Sequence, residues 1–372
     1  MNIAKWTTGV AARVSVALFL LHASVHAAET CTNAAPAIRV DPDGTLHIPP
    51  LEVPMSSFMS PQMRNALLEI MKHPYPVHPP FDAPLAEWEK YWKTYDEQVM
   101  RPILTRLERH YPTRVEAAEY GGVRVDIVTP EGGIPPENAR RVMINLHGGG
   151  FYTGAGLGGL VESIPMASLG KVKVVTVDYR QAPQHRFPAA SEDVARVYRE
   201  LLKEYPPQNI GIYGCSAGGA LTAQATAWID KEKLPRPGAL GIFCSSAGGG
   251  LGDSDLLGPI LSYAILPSPQ RERVSRKEGY FSGADPEDPL VSPVVSLEVL
   301  ARFPPTLLVT GTRAQELSAA VYTHARLLKA GVDARIYIAE GGWHGFFVDP
   351  DIPEARDAYE YIVKWFDQQL GR

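Results

Sequence analysis

The sequence is poor in cysteine. Its three thiols, at Cys31, Cys215 and Cys244 among 372 residues, cannot all pair with one another, so a disulfide framework does not hold this fold. Cys215 and Cys244 lie in segments that read as buried, where a thiol packs as a small hydrophobe and a redox role is the weaker reading. Lysine and arginine form no basic stripe, the net charge is −5, and no phosphate-cradling glycine loop with its lysine is present. Nucleic acid is therefore excluded as a partner, and so is phosphate-loop chemistry. Internal repeats and low-complexity tracts are also missing. The apolar run from Val14 to Leu21 falls short of the roughly 20 residues a helix needs to span a bilayer, so stable membrane insertion is not expected.

That short run has another reading. Lys5 and Arg13 precede it, and small residues follow as far as Val25-His26-Ala27. Residues 1–27 are read as a secretory signal peptide, the mature chain as starting at Ala28, and the protein as exported to the periplasm or the medium; a retained anchor is the alternative. Cys31 has no lipid-attachment signal before it and is read as unlipidated.

What is present suits a folded α/β protein: 45% of residues are hydrophobic and 21% charged. Residues 28–115 are Pro-rich and then helical, with apolar residues at helical spacing over Gln62 to Lys72 and Leu85 to His110, the latter interrupted at Pro102. At that spacing Trp88 and Trp92 read as core. From 116 onward short β-rich runs alternate with helical segments: Val123 to Val128, Arg141 to Leu146, Val172 to Val177, Ile210 to Tyr213, Leu240 to Cys244, Thr306 to Thr310 and Ala334 to Ala339. This alternation predicts a mostly parallel sheet with helices on both faces. Residues 248–293, rich in Gly, Pro and Ser around an apolar segment, are too long for a plain loop and are read as a lid beside the N-terminal helices.

Three motifs carry chemistry. Gly214-Cys215-Ser216-Ala217-Gly218 joins a predicted strand to a predicted helix, the context of a nucleophile elbow with Ser216 at its apex. His147-Gly148-Gly149-Gly150-Phe151 follows another strand, and the N–H groups of Gly149, Gly150 and Ala217 are candidate donors to an oxyanion. His147 itself is read as orienting this loop through backbone hydrogen bonds. Gly341-Gly342-Trp343-His344-Gly345-Phe346 follows the last predicted strand and puts His344 last in chain order, as the base for Ser216.

Together with Asp178-Tyr179-Arg180-Gln181-Ala182-Pro183, Phe187-Pro188-Ala189-Ala190, Asp288-Pro289-Leu290, Ser292-Pro293 and Phe303-Pro304-Pro305-Thr306, these motifs resemble the hormone-sensitive-lipase-like esterases and lipases, also called family IV. The resemblance covers roughly residues 123–371. It implies an α/β-hydrolase fold with an eight-stranded core, and a cap built from the N-terminal helices and the later insertion. It also implies hydrolysis of short- to medium-chain carboxylic esters with neither cofactor nor metal; members often pair as homodimers.

The match fails where the family keeps its triad acid, because Ala314 occupies that position and Ala319 a second position that is often acidic. Glu316 is the nearest carboxylate and the favoured acid; its alternative is a solvated glutamate in the first turn of the next helix. Asp253 and Asp255 are further candidates that fit less well. Cys215 stands where the family has aspartate and is assigned to packing. A ligand-binding protein on a hydrolase scaffold, and a hydrolase of amides or lactones, remain alternative functions.

Overall fold

The computed structural model describes residues 38–48, 52–73, 75–248, 252–261 and 278–371. The expected signal peptide lies outside them. The chain divides into two compact units, Met1–Val53 and Pro54–Arg372. In the first, β1 (Arg39–Val40) and β2 (Leu46–His47) form an antiparallel ribbon.

The second unit is built on an eight-stranded sheet. Its strands are β3 (Thr113–Tyr120), β4 (Val123–Pro130), β5 (Val142–Leu146), β6 (Lys173–Val177), β7 (Ile210–Cys215), β8 (Ala239–Phe243), β9 (Thr306–Gly311) and β10 (Ala334–Ala339). They lie in the order β10-β9-β8-β7-β5-β6-β4-β3. Pairing is parallel from β10 through to β6 and antiparallel for β4 with β6 and β3. The central strands are buried on both faces, which is why they read as unbroken apolar runs. Successive side chains alternate between the faces. Val142, Ile144 and Leu146 enter one core, and Met143 enters the other.

All seven predicted strands form, with ends shifted by at most two residues. The eighth, β3, has no counterpart among the predicted runs. Its sequence TRVEAAEY is largely exposed, and it pairs with β4 along its whole length through the Gly121-Gly122 turn. It starts at Thr113, so the last residues of the expected N-terminal segment are already in the sheet.

Before the sheet come α1 (Pro61–Lys72), α2 (Leu85–Tyr95) and α3 (Arg101–His110). The interruption expected at Pro102 takes the form of a π turn over Asp96–Met100, closed by the Arg101 N–H on the Asp96 carbonyl. Proline cannot donate and its ring crowds the carbonyl four residues back, so the helix widens before it. The helices that bear on the site are α4 (Leu157–Gly170), α5 (Ala189–Leu201), α6 (Ala217–Lys231), α7 (Asp253–Leu261), α8 (Leu317–Lys329) and α9 (Pro353–Gln369).

Within the expected lid, residues 249–251 and 262–277 lie outside the described residues. Its described parts flank the motif loops. Ser254 of α7 donates to the Gln315 carbonyl at 2.7 Å, beside the start of α8. Tyr280 stacks on Phe151 with centroids 4.8 Å apart, and a Cβ on Gly279 would fall 2.8 Å from the Phe81 ring of the N-terminal segment.

Candidate active site

Ser216 joins β7 to α6 with φ 58° and ψ −122°, a conformation that costs a non-glycine residue energy and that the surrounding packing enforces. The packing is tight. A Cβ on Gly218 would lie 1.7 Å from the Leu146 carbonyl oxygen, and one on Gly214 would lie 2.2 Å from the same atom. Ser216 N–H is anchored on the Phe243 carbonyl at 2.9 Å. The nucleophile loop is thus pressed onto β5, the strand that leads into the glycine loop.

His344 comes from the loop after β10, and its Nε2 lies 3.0 Å from Ser216 Oγ. Its Nδ1 lies 2.8 Å from Glu316 Oε2. With Nδ1 carrying the proton, the imidazole donates to Glu316 and accepts from the serine hydroxyl. Glu316 is 2% exposed and also accepts from Thr310 Oγ1 at 3.1 Å. The solvated-glutamate alternative therefore does not describe it. Ala314 is itself buried in the turn after β9, where its N–H bonds the Gly311 carbonyl. Glu316 ends that turn just ahead of α8, and its longer side chain reaches His344 from two residues further on. Asp253 and Asp255 stand in the first turn of α7, and Asp253 is exposed.

Burial disfavours the charged form of His344, but the charge of Glu316 and its hydrogen bond outweigh this, with help from Glu162. The net effect raises the imidazole above its usual 6.5.

The glycine loop lies across from the serine. Gly149, Gly150 and Phe151 all have positive φ, and Tyr152 and Thr153 N–H both close onto the Gly149 carbonyl. Among the described residues, no acceptor is paired with the N–H groups of Gly149, Gly150 or Ala217, and Ala217 opens α6, where the helix dipole is positive. His147 is buried, stacks on Tyr179 at 4.2 Å, and pairs Nδ1 with the Gly148 carbonyl at 2.7 Å. Burial depresses its pKa to about 4, so it stays neutral and orients the loop. Trp92 Nε1–H fastens the same loop by donating to the Tyr152 carbonyl at 2.6 Å.

Cys215 is buried, and its thiol is raised well above its usual range, first by a hydrogen bond with Cys244 and then by burial. Neither thiol is in a disulfide, and neither is disposed to ionise. One residue of the site has no counterpart among the expected residues. Glu162 of α4 accepts hydrogen bonds from both motif loops, and burial pushes its carboxyl up to about 7. Its signal in the sequence was a single carboxylate in the apolar run of α4, a residue that needs partners if the helix is buried.

Among known families, the model of one with the α/β-hydrolase fold matches residues 143–348. The esterase LipU of Mycobacterium tuberculosis is 28% identical over 302 residues, which are 77% of this chain and 96% of that protein. The crystal structure of an esterase called E25 superposes with a TM-score of 0.73 at 31% identity, covering 88% of this chain and 99% of that one. An esterase from the bacterial hormone-sensitive lipase family shares the fold, with a TM-score of 0.69 at 24% identity over 84% of this chain and 99% of its own.

Proposed function

The chain belongs to this α/β-hydrolase family of esterases, and on that premise we propose that it hydrolyses carboxylic esters of short- to medium-chain acids through an acyl-enzyme on Ser216. The observation that carries the proposal is the unbroken line Ser216 Oγ, His344, Glu316, with contacts of 3.0 and 2.8 Å. His344 takes the hydroxyl proton as Ser216 Oγ bonds to the ester carbonyl carbon. The negative charge moving onto the carbonyl oxygen is met by the N–H groups of Gly149, Gly150 and Ala217. His344 then protonates the leaving alkoxide. In the second half water attacks the acyl-serine, again losing its proton to His344, and the acid departs. Glu316 holds the ring in the tautomer that this requires and supports the imidazolium.

The test is hydrolysis of p-nitrophenyl esters over a ladder of acyl lengths, with Ser216→Ala as the background. Turnover on the shorter acyl chains that vanishes in Ser216→Ala supports the reading; turnover equal in the two proteins refutes it. Export is part of the same proposal, and it rests on Lys5, Arg13 and the run from Val14 to Leu21. Intact mass of the protein secreted by its host should correspond to a chain starting at Ala28; a full-length mass would contradict that.

A further inference from the structure

Glu162, 6% exposed on α4, sits where the two backbone segments of the site meet. Its Oε1 accepts the Gly148 N–H at 2.8 Å, from the glycine loop. Its Oε2 accepts the Cys215 N–H at 3.0 Å, from the residue before the nucleophile, and the Asn145 side-chain amide at 3.1 Å. Asn145 in turn accepts from Thr176 Oγ1 through its Oδ1 at 2.7 Å. At the point the carboxylate bridges, loop and elbow are already in contact. A Cβ on Gly148 would lie 3.1 Å from the Cys215 carbonyl oxygen and 3.3 Å from Ser216 Cβ. A helix that only packed here would have no use for a buried carboxylate, which is costly to desolvate.

We propose that Glu162 is a positioning residue, resting on the serine-esterase reading above: its carboxylate ties Gly148 to Cys215 and so keeps the Gly149 and Gly150 N–H groups in register with Ser216. The ionised form accepts all three donors. Protonation replaces an acceptor with an O–H that faces donors, and one tie is lost. The titratable groups facing Glu162 are His344, Tyr213 and Cys215 of β7, Cys244 after β8, Tyr179 after β6 and Tyr359 of α9. Burial raises the tyrosines and Cys244, and the Cys244 hydrogen bond together with burial raises Cys215. Near neutral pH only His344 changes charge alongside it.

The experiment measures kcat and KM for ester hydrolysis between about pH 5 and pH 9 in wild type, Glu162→Gln and Glu162→Asp, with thermal melts to establish folding. A misplacement on the order of 1 Å predicts a loss of about 10²-fold in kcat for Glu162→Gln, with KM unchanged. The acidic limb of kcat should carry two ionisations in wild type and in Glu162→Asp, and one in Glu162→Gln. A folded Glu162→Gln with wild-type kcat overturns the inference. If Glu162→Gln fails to fold, Glu162→Asp decides, its carboxylate standing one methylene short of the Gly148 and Cys215 N–H groups: a lower kcat at unchanged KM supports the inference and a wild-type kcat overturns it. A wild type no faster than Ser216→Ala overturns the esterase reading and this inference with it, whereas an active wild type indifferent to Glu162→Gln overturns this inference alone.

Discussion

At the scale of single residues, the site is defined by where one carboxylate stands. With Ala314 at the expected position, the carboxylate that meets His344 is that of Glu316, and its charge raises the imidazole above 6.5. His344 must be neutral to accept the serine proton, so kcat/KM rises with pH through the imidazole pKa. Glu316→Gln removes the charge that favours the imidazolium. The His344 ionisation in the acidic limb of kcat/KM should then move to lower pH, with the Glu162 ionisation left in place, while the plateau falls, by up to about 10⁴-fold. A pH series on the variant checks both, and a limb in which neither ionisation moves would mean that Glu316 does not act on His344. The three side chains of this line were legible in the sequence from chain order and spacing. The burial of Glu316 was not, because a glutamate at a helix start looks the same whether water or an imidazole faces it. Glu162 was illegible for a related reason: its partners are backbone N–H groups from two distant segments, which only the folded chain assembles.

At the scale of elements, the elbow works because glycine lets β7 and α6 press against β5. Gly218→Ala puts a methyl 1.7 Å from the Leu146 carbonyl oxygen, a clash that only backbone movement relieves. Such overpacking should cost about 3 kcal/mol or more in urea unfolding. Gly132→Ala, where nothing stands within 4 Å and φ is not positive, is the control and should change stability by less than about 0.5 kcal/mol. Equal stabilities for the two variants would contradict the packing described. The buried parallel strands announced themselves as apolar runs, since both of their faces are covered. β3 did not, because an exposed edge strand is specified by its pairing with β4 more than by its own side chains.

At the scale of the whole molecule, two buried groups close to the site set opposing pH dependences of stability. Glu162 titrates at about 7 in the fold against 4.5 ordinarily, so the native state holds the extra proton between these values and stability falls as pH rises across that window. His147 titrates at about 4 against 6.5, so the unfolded chain holds the extra proton and stability rises as pH climbs through its window. Each effect amounts to about 3 kcal/mol, and over the shared range they offset one another. Glu162→Gln leaves the His147 effect alone. Its stability at pH 7 relative to pH 4.5 should therefore exceed the wild-type difference by about 3 kcal/mol in urea titrations. Identical pH dependences in the two proteins would mean that Glu162 is not buried as described.

The central claim is that Ser216 is a nucleophile activated through His344 by Glu316. The most direct measurement is the rate at which a fluorophosphonate labels the folded protein, with the modified peptide identified by mass spectrometry. The account predicts stoichiometric labelling at Ser216 in wild type, much slower labelling of the same residue in Glu316→Gln, and none in Ser216→Ala. Labelling at another residue, or a Glu316→Gln rate equal to wild type, would contradict it.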